Sequence, residues 1–466
     1  MKRVTTVEER ILGMNALNEE TLARPTELQM PTATKLARIA WLSARNRGRR
    51  FDCLMHHINR ETLTASFNEL DGKKATGSDR VSKDDYGQSL NQNLEALIER
   101  MKKMAYRPRP VREVLIPKEG NPGSFRSLGI ANFEDKVVQK MTAKILESIF
   151  EPTFLNCSYG FRPGRGCHDA IRSLHQYLFR HEVETVIDVD LANFFGTIRP
   201  KVVDEILQER IGDDRFLRYI QRMFKAGILS SGELTLSDEG VPQGSPASPV
   251  IANIVAHQVL DTWFENTVKI HCLGKVAMFR YCDDLVICCQ YESDAGRVHK
   301  ALGLRLNKYG LKMNEEKTRL VKFSKRRQVM GEQQESFDFL GLTFYLGKSR
   351  KGGVIPKLKT SGKRLKSKLK KVTEWARANR SAMRLPELWA TFCSKLRGHI
   401  AYYGISFNQV RVANFIMEST RIFFKWLNRR GGKRKLKWEK FQLFIKLNPL
   451  PANKTHHKLF TLQTKQ

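Results

Sequence analysis

The sequence predicts an α+β fold that continues into a helical C-terminal part. Short β-branched and apolar runs, bounded by Gly, Pro and Asp, recur between residues 111 and 344 and predict strands, several of them in hairpins. Amphipathic patterns with helical spacing separate these runs. From about residue 346 the helical patterns continue and Lys and Arg become dominant, which indicates a second, cationic region.

Charge is the strongest signal in the composition. The 466 residues include 81 Lys and Arg against 48 Asp and Glu, a net charge of +33, and 41% hydrophobic residues can form a core. A basic excess on a foldable chain indicates a polyanionic partner, either nucleic acid or an anionic membrane. No apolar run reaches the roughly 18 residues of a spanning helix, and the N-terminus lacks a signal-peptide core. We therefore expect a nucleic acid and no membrane.

The cysteine pattern indicates free thiols. The chain has 8 Cys and no CxxC pair. Zinc sites and disulfide frameworks are therefore not expected, and a reducing cytoplasm is the predicted compartment.

The N-terminal third is predicted to be mostly helical. Residues 1–60 are basic, with helical spacing between 36 and 43 and an arginine cluster after it, which suits either an RNA contact or a solvated basic face. A helix is predicted from Asp84 to Met104, and Pro108 follows it.

A hairpin is predicted from the runs 111–118 and 125–130, which a Gly/Pro-rich loop joins. It brings Lys118 and Arg126 to one end, where paired cations suit a triphosphate. Two exposed cations on a basic protein are the alternative. A long amphipathic helix is predicted from 133 to 150.

Two glycine-rich loops lead into predicted helices. The basic loop from Cys157 to Ala170 would let backbone amides approach a phosphate. The loop from Gly240 to Pro249 opens an apolar helix, and polar groups at a helix N-terminus favour a phosphate or a sugar.

Acidic residues lie in two predicted strands. Asp188 and Asp190 share one face of the run from Thr185 to Ile198, where an unpaired carboxylate is costly. The adjacent Asp283 and Asp284 lie at the tip of a predicted hairpin. Acids held this close repel each other unless a cation neutralises them. Carboxylates from two strands suit a site for two divalent metal ions, whereas a solvated Asp-Asp turn is the alternative for the hairpin alone.

The C-terminal part is predicted to be helical and cationic. Leu365, Leu369, Val372 and Trp375 line one face of a helix whose other positions are basic. The cations expected to contact nucleic acid are Lys363, Arg364, Lys366, Lys368, Lys370, Lys371, Arg429 and Arg430.

Several motifs, in a fixed order, resemble the group II intron-encoded reverse transcriptases of bacterial type. Tyr281-Cys282-Asp283-Asp284 looks like their YxDD signature. Asp190 with Phe194-Phe195 looks like their first catalytic motif, and Pro242-Gln243-Gly244-Ser245-Pro246 looks like their PQG motif. The other matching stretches are Arg126, Gly160-Phe161-Arg162-Pro163-Gly164, Asn314 to Thr318, Phe339-Leu340-Gly341 and a maturase-like region from Trp426 to Pro451. The resemblance covers roughly residues 65 to 455.

The resemblance implies a right-hand polymerase fold. Fingers and a palm with an antiparallel sheet would occupy residues 61–345, a helical thumb and maturase domain 346–466, and a basic extension 1–60. The implied function is an RNA-directed DNA polymerase that binds its host intron RNA and assists splicing and retromobility.

The resemblance also assigns the site residues. Asp190, Asp283 and Asp284 would be catalytic and would hold two Mg²⁺, with Mn²⁺ as a substitute, because oxygen ligands and phosphates suit these ions. Asp190 is preferred to Asp188 because the acid of the family stands five residues before the second aromatic residue, here Phe195.

Four further residues would contact the nucleotide. Lys118 and Arg126 would hold the triphosphate, Gln243 would contact the nucleotide or the template, and Phe195 would exclude the 2′-hydroxyl of ribonucleotides. Lys317 would assist departure of pyrophosphate. The implied partners are group II intron RNA, an RNA template, a DNA primer or target and dNTPs, in the bacterial cytoplasm, with monomer and homodimer left open.

Two residues depart from the family pattern, and two other functions stay open. Cys282 stands where the subset usually has Ala, and Gly196 stands where many relatives have Asp. Neither removes a metal ligand, so activity is expected, and without a paired-Cys, His-Asn-His endonuclease module no DNA cleavage is expected. The alternatives are a splicing cofactor with a vestigial polymerase, and a defence or retron-type reverse transcriptase.

Overall fold

The described part of the chain mixes helices and sheets, as the sequence predicts. The structure is a computed structural model, and it describes residues 32–117, 123, 125–230, 233–235, 244–430 and 435–460. Strands and helices alternate as far as residue 360, and the later regular elements in these ranges are helices.

The helices are α1 (Thr32–Arg45), α2 (Arg60–Glu69), α3 (Lys83–Gln88), α4 (Leu90–Lys102), α5 (Phe133–Phe150), α6 (Cys167–Arg180), α7 (Phe194–Thr197), α8 (Pro200–Gln208), α9 (Asp214–Phe224), α10 (Ser248–Ala256), α11 (Glu292–Lys308), α12 (Lys325–Val329), α13 (Gly362–Asn379), α14 (Leu385–Tyr403), α15 (Gln409–Leu427) and α16 (Trp438–Leu447). The strands are β1 (Val111–Pro117), β2 (Phe125–Ile130), β3 (Thr185–Asp190), β4 (Ile228–Ser230), β5 (Glu233–Thr235), β6 (Val276–Tyr281), β7 (Asp284–Cys289), β8 (Arg319–Lys322), β9 (Phe337–Phe339), β10 (Leu342–Lys348) and β11 (Val354–Thr360).

The described residues before position 60 pack into the main core. Ile39 of α1, Phe51 and Leu54 belong to the same hydrophobic cluster as the buried faces of α4 and α5. The hydroxyl of Ser43 in α1 donates to the backbone carbonyl of Ile149 in α5. The domain limits at residues 60 and 345 stay predictions, and the first of them does not coincide with a break in this core.

The helix predicted from Asp84 to Met104 is two helices. α3 ends at Gln88, and Ser89 has φ −121° and ψ 38°, so the helical path is interrupted before α4 begins. Gly87 and Ser89 are weak helix formers, which favours a break at this position. The apolar face is as predicted, because Leu94, Leu97 and Met101 are buried.

The N-terminal sheet has the strand order β2-β1-β4-β5. β1 and β2 form the predicted antiparallel hairpin, in which Ile116 pairs with Arg126, and β4 runs parallel to β1. Lys118 and most of the hairpin loop lie outside the described residues.

The central sheet has the order β6-β7-β3-β8, with every neighbouring pair antiparallel. Because side chains alternate across a strand, Ile187 and Val189 of β3 enter one core and Val186 enters another on the opposite face. Asp188 and Asp190 therefore lie on the Val186 face. The strand predicted to reach Ile198 ends at Asp190, where Asn193 takes a left-handed φ of 46° and α7 begins.

The second core joins the central sheet to the C-terminal part. It contains Phe337, Phe344 and Leu358 of the three-stranded sheet β11-β10-β9, together with Ile400 of α14. Helices α13 to α16 enclose a third core, on which Leu365, Leu369 and Trp375 pack as predicted. No helix in the described ranges is both long and apolar enough to cross a bilayer.

Candidate active site

The acidic turn between β6 and β7 has the predicted hairpin form. Tyr281 pairs with Asp284, so Cys282 and Asp283 are the two residues of the turn. Cys282 is buried and takes a left-handed φ of 60°, which costs a residue with a side chain roughly 1 kcal/mol. The small thiol lies beneath the turn, and the carboxylates stay at its surface.

Asp190 lies directly opposite Asp284. The register of β3 on β7 pairs Asp190 with Asp284 and Asp188 with Val286, so the two acids share one face of the sheet. Side chains in such a pair have Cβ atoms about 5 Å apart, and like charges at this spacing destabilise a sheet. A cation between the two carboxylates would remove this repulsion.

The pKa of Asp284 reflects this crowding. Its side chain has an exposed surface, but the surrounding protein restricts its hydration and, with the charges of Asp283 and Asp190, raises the pKa to about 6. The guanidinium of Arg364 at the start of α13 acts in the opposite direction. The carboxylate is thus short of positive charge.

Asp188 has a different environment from Asp190. Arg319 of β8 lies beside it, and its Nη2 donates to Asp188 Oδ2 at 3.0 Å. Burial raises the pKa of Asp188, and Arg319 opposes this rise. Asp188 is therefore held by a hydrogen-bonded ion pair. Asp190 has a looser partner, Lys317 Nζ at 3.8 Å, and this difference favours Asp190 as the metal ligand.

The stretch from Asn314 to Thr318 fixes the backbone of Asp190. The amide of Asn314 donates to the Asp190 carbonyl at 2.8 Å, and the Asp190 amide donates to Thr318 Oγ1 at 3.2 Å. Lys317 Nζ lies 3.8 Å from Asp190 Oδ2, and both side chains are well exposed. The structure thus brings Lys317 to the carboxylate that the sequence pairs with the metal.

Two glycines allow loops to approach the site closely. A Cβ on Gly160 would lie 2.6 Å from the amide nitrogen of Cys282, so this loop packs on the acidic turn only without a side chain. Gly244 has φ 110°, and a Cβ there would lie 2.6 Å from the Gly129 carbonyl of β2. Gly244 therefore packs against the N-terminal sheet, whereas Gln243, the residue before it, lies outside the described residues.

Phe195 is half-buried beside the buried Phe194, with the two rings edge to face at 5.8 Å. At Gly196 an added Cβ would lie 2.3 Å from Asn193 Nδ2. The side chain of Asn193 thus occupies the place that a larger residue at position 196 would take.

The predicted cationic side of α13 is exposed. All six of its predicted contacts are solvent-accessible: Lys363, Arg364, Lys366, Lys368, Lys370 and Lys371. Arg429 is also exposed and lies over the Trp426 ring at 5.0 Å, whereas Arg430 donates to the Met383 carbonyl at 2.8 Å. Arg126 is exposed on β2. Their contacts with RNA or nucleotide stay predictions.

The carboxylates of Asp190, Asp283 and Asp284 suit a divalent cation by their chemistry, but they do not form a complete metal site by themselves. Among the described residues no group of three or more His, Cys, Asp or Glu side chains converges into a complete metal site. Asp190 and Asp284 nevertheless face each other, and Asp283 adjoins them. Lys317 lies beside Asp190 and Arg364 acts on Asp284, yet the pKa of Asp284 stays raised. Oxygen donors from carboxylates and phosphates are the ligands Mg²⁺ prefers, so nucleotide phosphates would complete the coordination.

Sequence reasoning missed a buried ion pair behind the turn. Arg280 and Asp261 are both fully buried and form a two-point contact, with Nε to Oδ1 at 2.7 Å and Nη2 to Oδ2 at 2.5 Å. Burial alone would raise the pKa of Asp261, but Arg280 outweighs it and the pKa is lowered. The sequence signal was that Asp261 and Arg280 each stand within an apolar run, where a charged side chain is costly unless it is paired.

The stretch of chain that carries the paired acids is similar to a class of nucleic-acid polymerase. Residues 116–344 match the family model for reverse transcriptase (RNA-dependent DNA polymerase). The matched stretch, just under half of the chain, is thus similar to reverse transcriptases.

More specifically, the chain is similar to a group II intron-encoded protein and to an intron maturase. It is 30% identical over 230 residues to the group II intron-encoded protein LtrA of Lactococcus lactis subsp. cremoris, which covers 49% of this chain and 38% of that protein. It is 34% identical over 190 residues to protein YkfC of Escherichia coli (strain K12), covering 40% and 49%. It is 32% identical over 97 residues to nuclear intron maturase 1, mitochondrial, of Arabidopsis thaliana, covering 20% and 13%. These alignments span about half or less of each relative.

Proposed function

We propose that the chain is an RNA-directed DNA polymerase with its active site at Asp190, Asp283 and Asp284. The observation that carries the proposal is the register that sets Asp190 opposite Asp284 beside the Asp283 turn, within the domain that matches reverse transcriptases. The N-terminal sheet would form the fingers, the central sheet the palm, and α13 to α16 the thumb.

The chain's own residues would position the reactants. When bound, two Mg²⁺ would activate the primer 3′-hydroxyl and stabilise the leaving pyrophosphate. The three carboxylates would hold these ions, and Mn²⁺ would substitute. Arg126, and Lys118 on the same hairpin, would hold the triphosphate, while Gln243 would contact the nucleotide or template. Phe195 would lie against the sugar. Lys317 Nζ, beside Asp190, would donate a proton to the leaving pyrophosphate or stabilise its negative charge.

Primer extension on an RNA template with Mg²⁺ tests the polymerase assignment. Wild type should make cDNA, and Asp283→Ala and Asp284→Asn should abolish it, because losing a metal ligand costs several kcal/mol of transition-state stabilisation. Asp204→Asn, at a half-buried carboxylate of α8 that accepts hydrogen bonds from Gln208 and Gln221, is the matched control and should retain activity. No cDNA from wild type, or full extension by Asp283→Ala, would contradict the assignment.

A second role, binding the host intron RNA and assisting its splicing, is favoured by the exposed basic side of α13 and the named intron relatives. In that case Asp284→Asn should bind and splice the intron as wild type does while making no cDNA. A wild-type protein that splices but never polymerises would favour the splicing-only cofactor. Activity with no affinity for any intron RNA would favour a defence or retron-type enzyme.

A further inference from the structure

Arg280 lies behind the acidic turn, and all five of its N–H donors have partners. Besides the two bonds to Asp261, Nη2 donates to Ser158 Oγ at 2.7 Å and Nη1 donates to Asn253 Oδ1 at 3.1 Å. The fifth bond runs from Nη1 to the backbone carbonyl of Cys282 at 3.1 Å. That carbonyl belongs to the peptide plane that leads into Asp283.

The same side chains also hold the loop that packs on the turn. Ser158 and Arg280 also form a parallel β-bridge. In this bridge the Tyr159 amide donates to the Arg280 carbonyl at 2.9 Å, and the Arg280 amide donates to the Cys157 carbonyl at 2.8 Å. Asn253 Nδ2 donates to the Gly160 carbonyl at 2.6 Å. The turn is therefore held from behind by Arg280 and from one side by Gly160.

Stability alone gives a weak reason for such a pair. Burying two charges costs several kcal/mol per ion, and apolar replacements of buried pairs are often equally stable. A planar guanidinium, by contrast, fixes several acceptors at once in one geometry. The hydrogen bonds of Arg280 are thus suited to fixing the orientation of the peptide plane between Cys282 and Asp283.

We infer that Arg280, held in place by Asp261, is a positioning residue that orients the Cys282–Asp283 peptide and so sets the place of the Asp283 carboxylate. The inference rests on the proposed polymerase function. Arg280 touches no reactant in this arrangement, and it acts through the backbone of the turn. Arg280→Lys would keep the positive charge, but an ammonium group could not bond both carboxylate oxygens of Asp261 and the Cys282 carbonyl at the same time.

The test compares Arg280→Lys and Asp261→Asn with wild type, after correcting for the active fraction. We expect kcat to fall about 10- to 100-fold, with KM for dNTP and affinity for primer–template changed by no more than about twofold. A second measurement avoids turnover. Mn²⁺ binding, followed by electron paramagnetic resonance in a complex with a dideoxy-terminated primer, should weaken by about tenfold, since a shift of the order of 1 Å misplaces a ligand.

Asp294→Asn is the matched control. Asp294 is also fully buried and paired with an arginine, Arg297, but it accepts from the amides of Leu273 and Gly274, beside the far end of β6. It should lower thermal stability and leave Mn²⁺ affinity unchanged. Ser158→Ala removes a single bond to Arg280 and serves if the charge variants do not fold, with a smaller shift in the same direction.

Two outcomes overturn the inference. Variants at Arg280, Asp261 and Ser158 that lose stability like Asp294→Asn but keep wild-type kcat and Mn²⁺ affinity would show a purely structural pair. Equal losses of kcat and primer–template affinity would show general collapse of the site. If wild type itself makes no cDNA, the proposed function fails, whereas the Mn²⁺ measurement still decides whether Arg280 orients the turn.

Discussion

Gly160 is the residue at which the smallest change should disturb the active site most. Because a Cβ there would lie 2.6 Å from the Cys282 amide nitrogen, a backbone atom that cannot rotate away, the loop or the turn must shift. We expect Gly160→Ala to lower kcat by about 10- to 100-fold, as displacements of about 1 Å do elsewhere. Steady-state primer extension measures this.

Gly296→Ala in α11 is the control for that change. An added Cβ at Gly296 meets nothing within 4 Å, and Ala is the better helix former by roughly 1 kcal/mol. This variant should keep its activity and gain slightly in melting temperature. Equal activity in Gly160→Ala would mean that the turn tolerates displacement.

The two acids of β3 should respond differently to the same substitution. Asp190→Asn removes a carboxylate opposite Asp284, whereas Asp188→Asn removes one that Arg319 already neutralises at 3.0 Å. We expect kcat to fall about 10³-fold or more for Asp190→Asn and less than about threefold for Asp188→Asn, which should instead lose roughly 1 kcal/mol of stability. Primer extension and thermal unfolding separate the two effects, and the reverse ranking would exchange the roles of the acids.

Single residues show where sequence reasoning reaches its limit. The sequence points to Asp190, Asp283 and Asp284 because carboxylates in or beside apolar strands are costly without a cation, and the family resemblance favours Asp190 over Asp188. Their role as metal ligands stays a prediction. Arg280 and Asp261 carry the same signal, but their pairing joins a strand to a helix 19 residues earlier and depends on tertiary contact. Such a partner cannot be read from spacing.

At the scale of elements, α14 and α15 enclose a histidine that should make the helical bundle sensitive to acid. His399 is buried, stacks on Phe415 at 3.6 Å, and has no hydrogen-bond partner for either ring nitrogen among the described residues. Burial, with a smaller effect of Lys368, lowers its pKa to about 3. The folded state therefore keeps the neutral ring.

The pH dependence follows from this shift. Below the unfolded pKa of about 6.5, His399 is protonated in the unfolded chain but stays neutral in the folded chain. The free energy of unfolding therefore falls as pH drops from about 6.5 towards 3. We expect His399→Phe to reduce the loss of unfolding free energy between pH 8 and 5 by about 2 kcal/mol. Thermal melts of both proteins at several pH values measure it, and parallel acid limbs would contradict it.

Element types followed from sequence more closely than element limits. Runs of apolar residues predicted β3 and the β6–β7 hairpin, which are largely buried, and also β1, of which Val111 alone is buried. The break at Ser89 and the end of β3 at Asp190 were missed, because both depend on local backbone angles. The chain after Ala256 also passes through two π-helical turns, His257–Asp261 and Phe264–Val268, which periodicity does not reveal.

For the whole molecule, the central sheet connects the sites of the two proposed functions, DNA polymerisation and RNA binding. One face of β3 and β7 carries Asp190 and Asp284, and the core on that face reaches α14. Arg364 lies in the first turn of the basic helix α13, and its charge acts on Asp284. Nucleic acid on α13 would therefore lie close to Asp284 and Asp190, so RNA binding and the proposed polymerase reaction should share one surface.

The net charge of +33 makes this surface testable by salt. Each phosphate that a cation neutralises contributes about −0.7 to −0.9 to the slope of log affinity against log salt. Lys363, Lys366 and Lys370 are exposed on α13. We expect their combined replacement by Gln to make the slope for RNA binding less negative by about 2 to 3, with little change at high salt.

The control replaces three exposed lysines outside the C-terminal bundle, Lys201, Lys300 and Lys308, by Gln. It removes the same net charge, so it separates a general effect of charge from contact with phosphates. Binding to a labelled RNA from 50 to 500 mM salt, about a tenfold range, gives both slopes. If the two triple variants change the slope equally, RNA responds to the overall field of the protein. If only the α13 variant does so, the phosphates lie on α13, beside the carboxylates that would extend the primer.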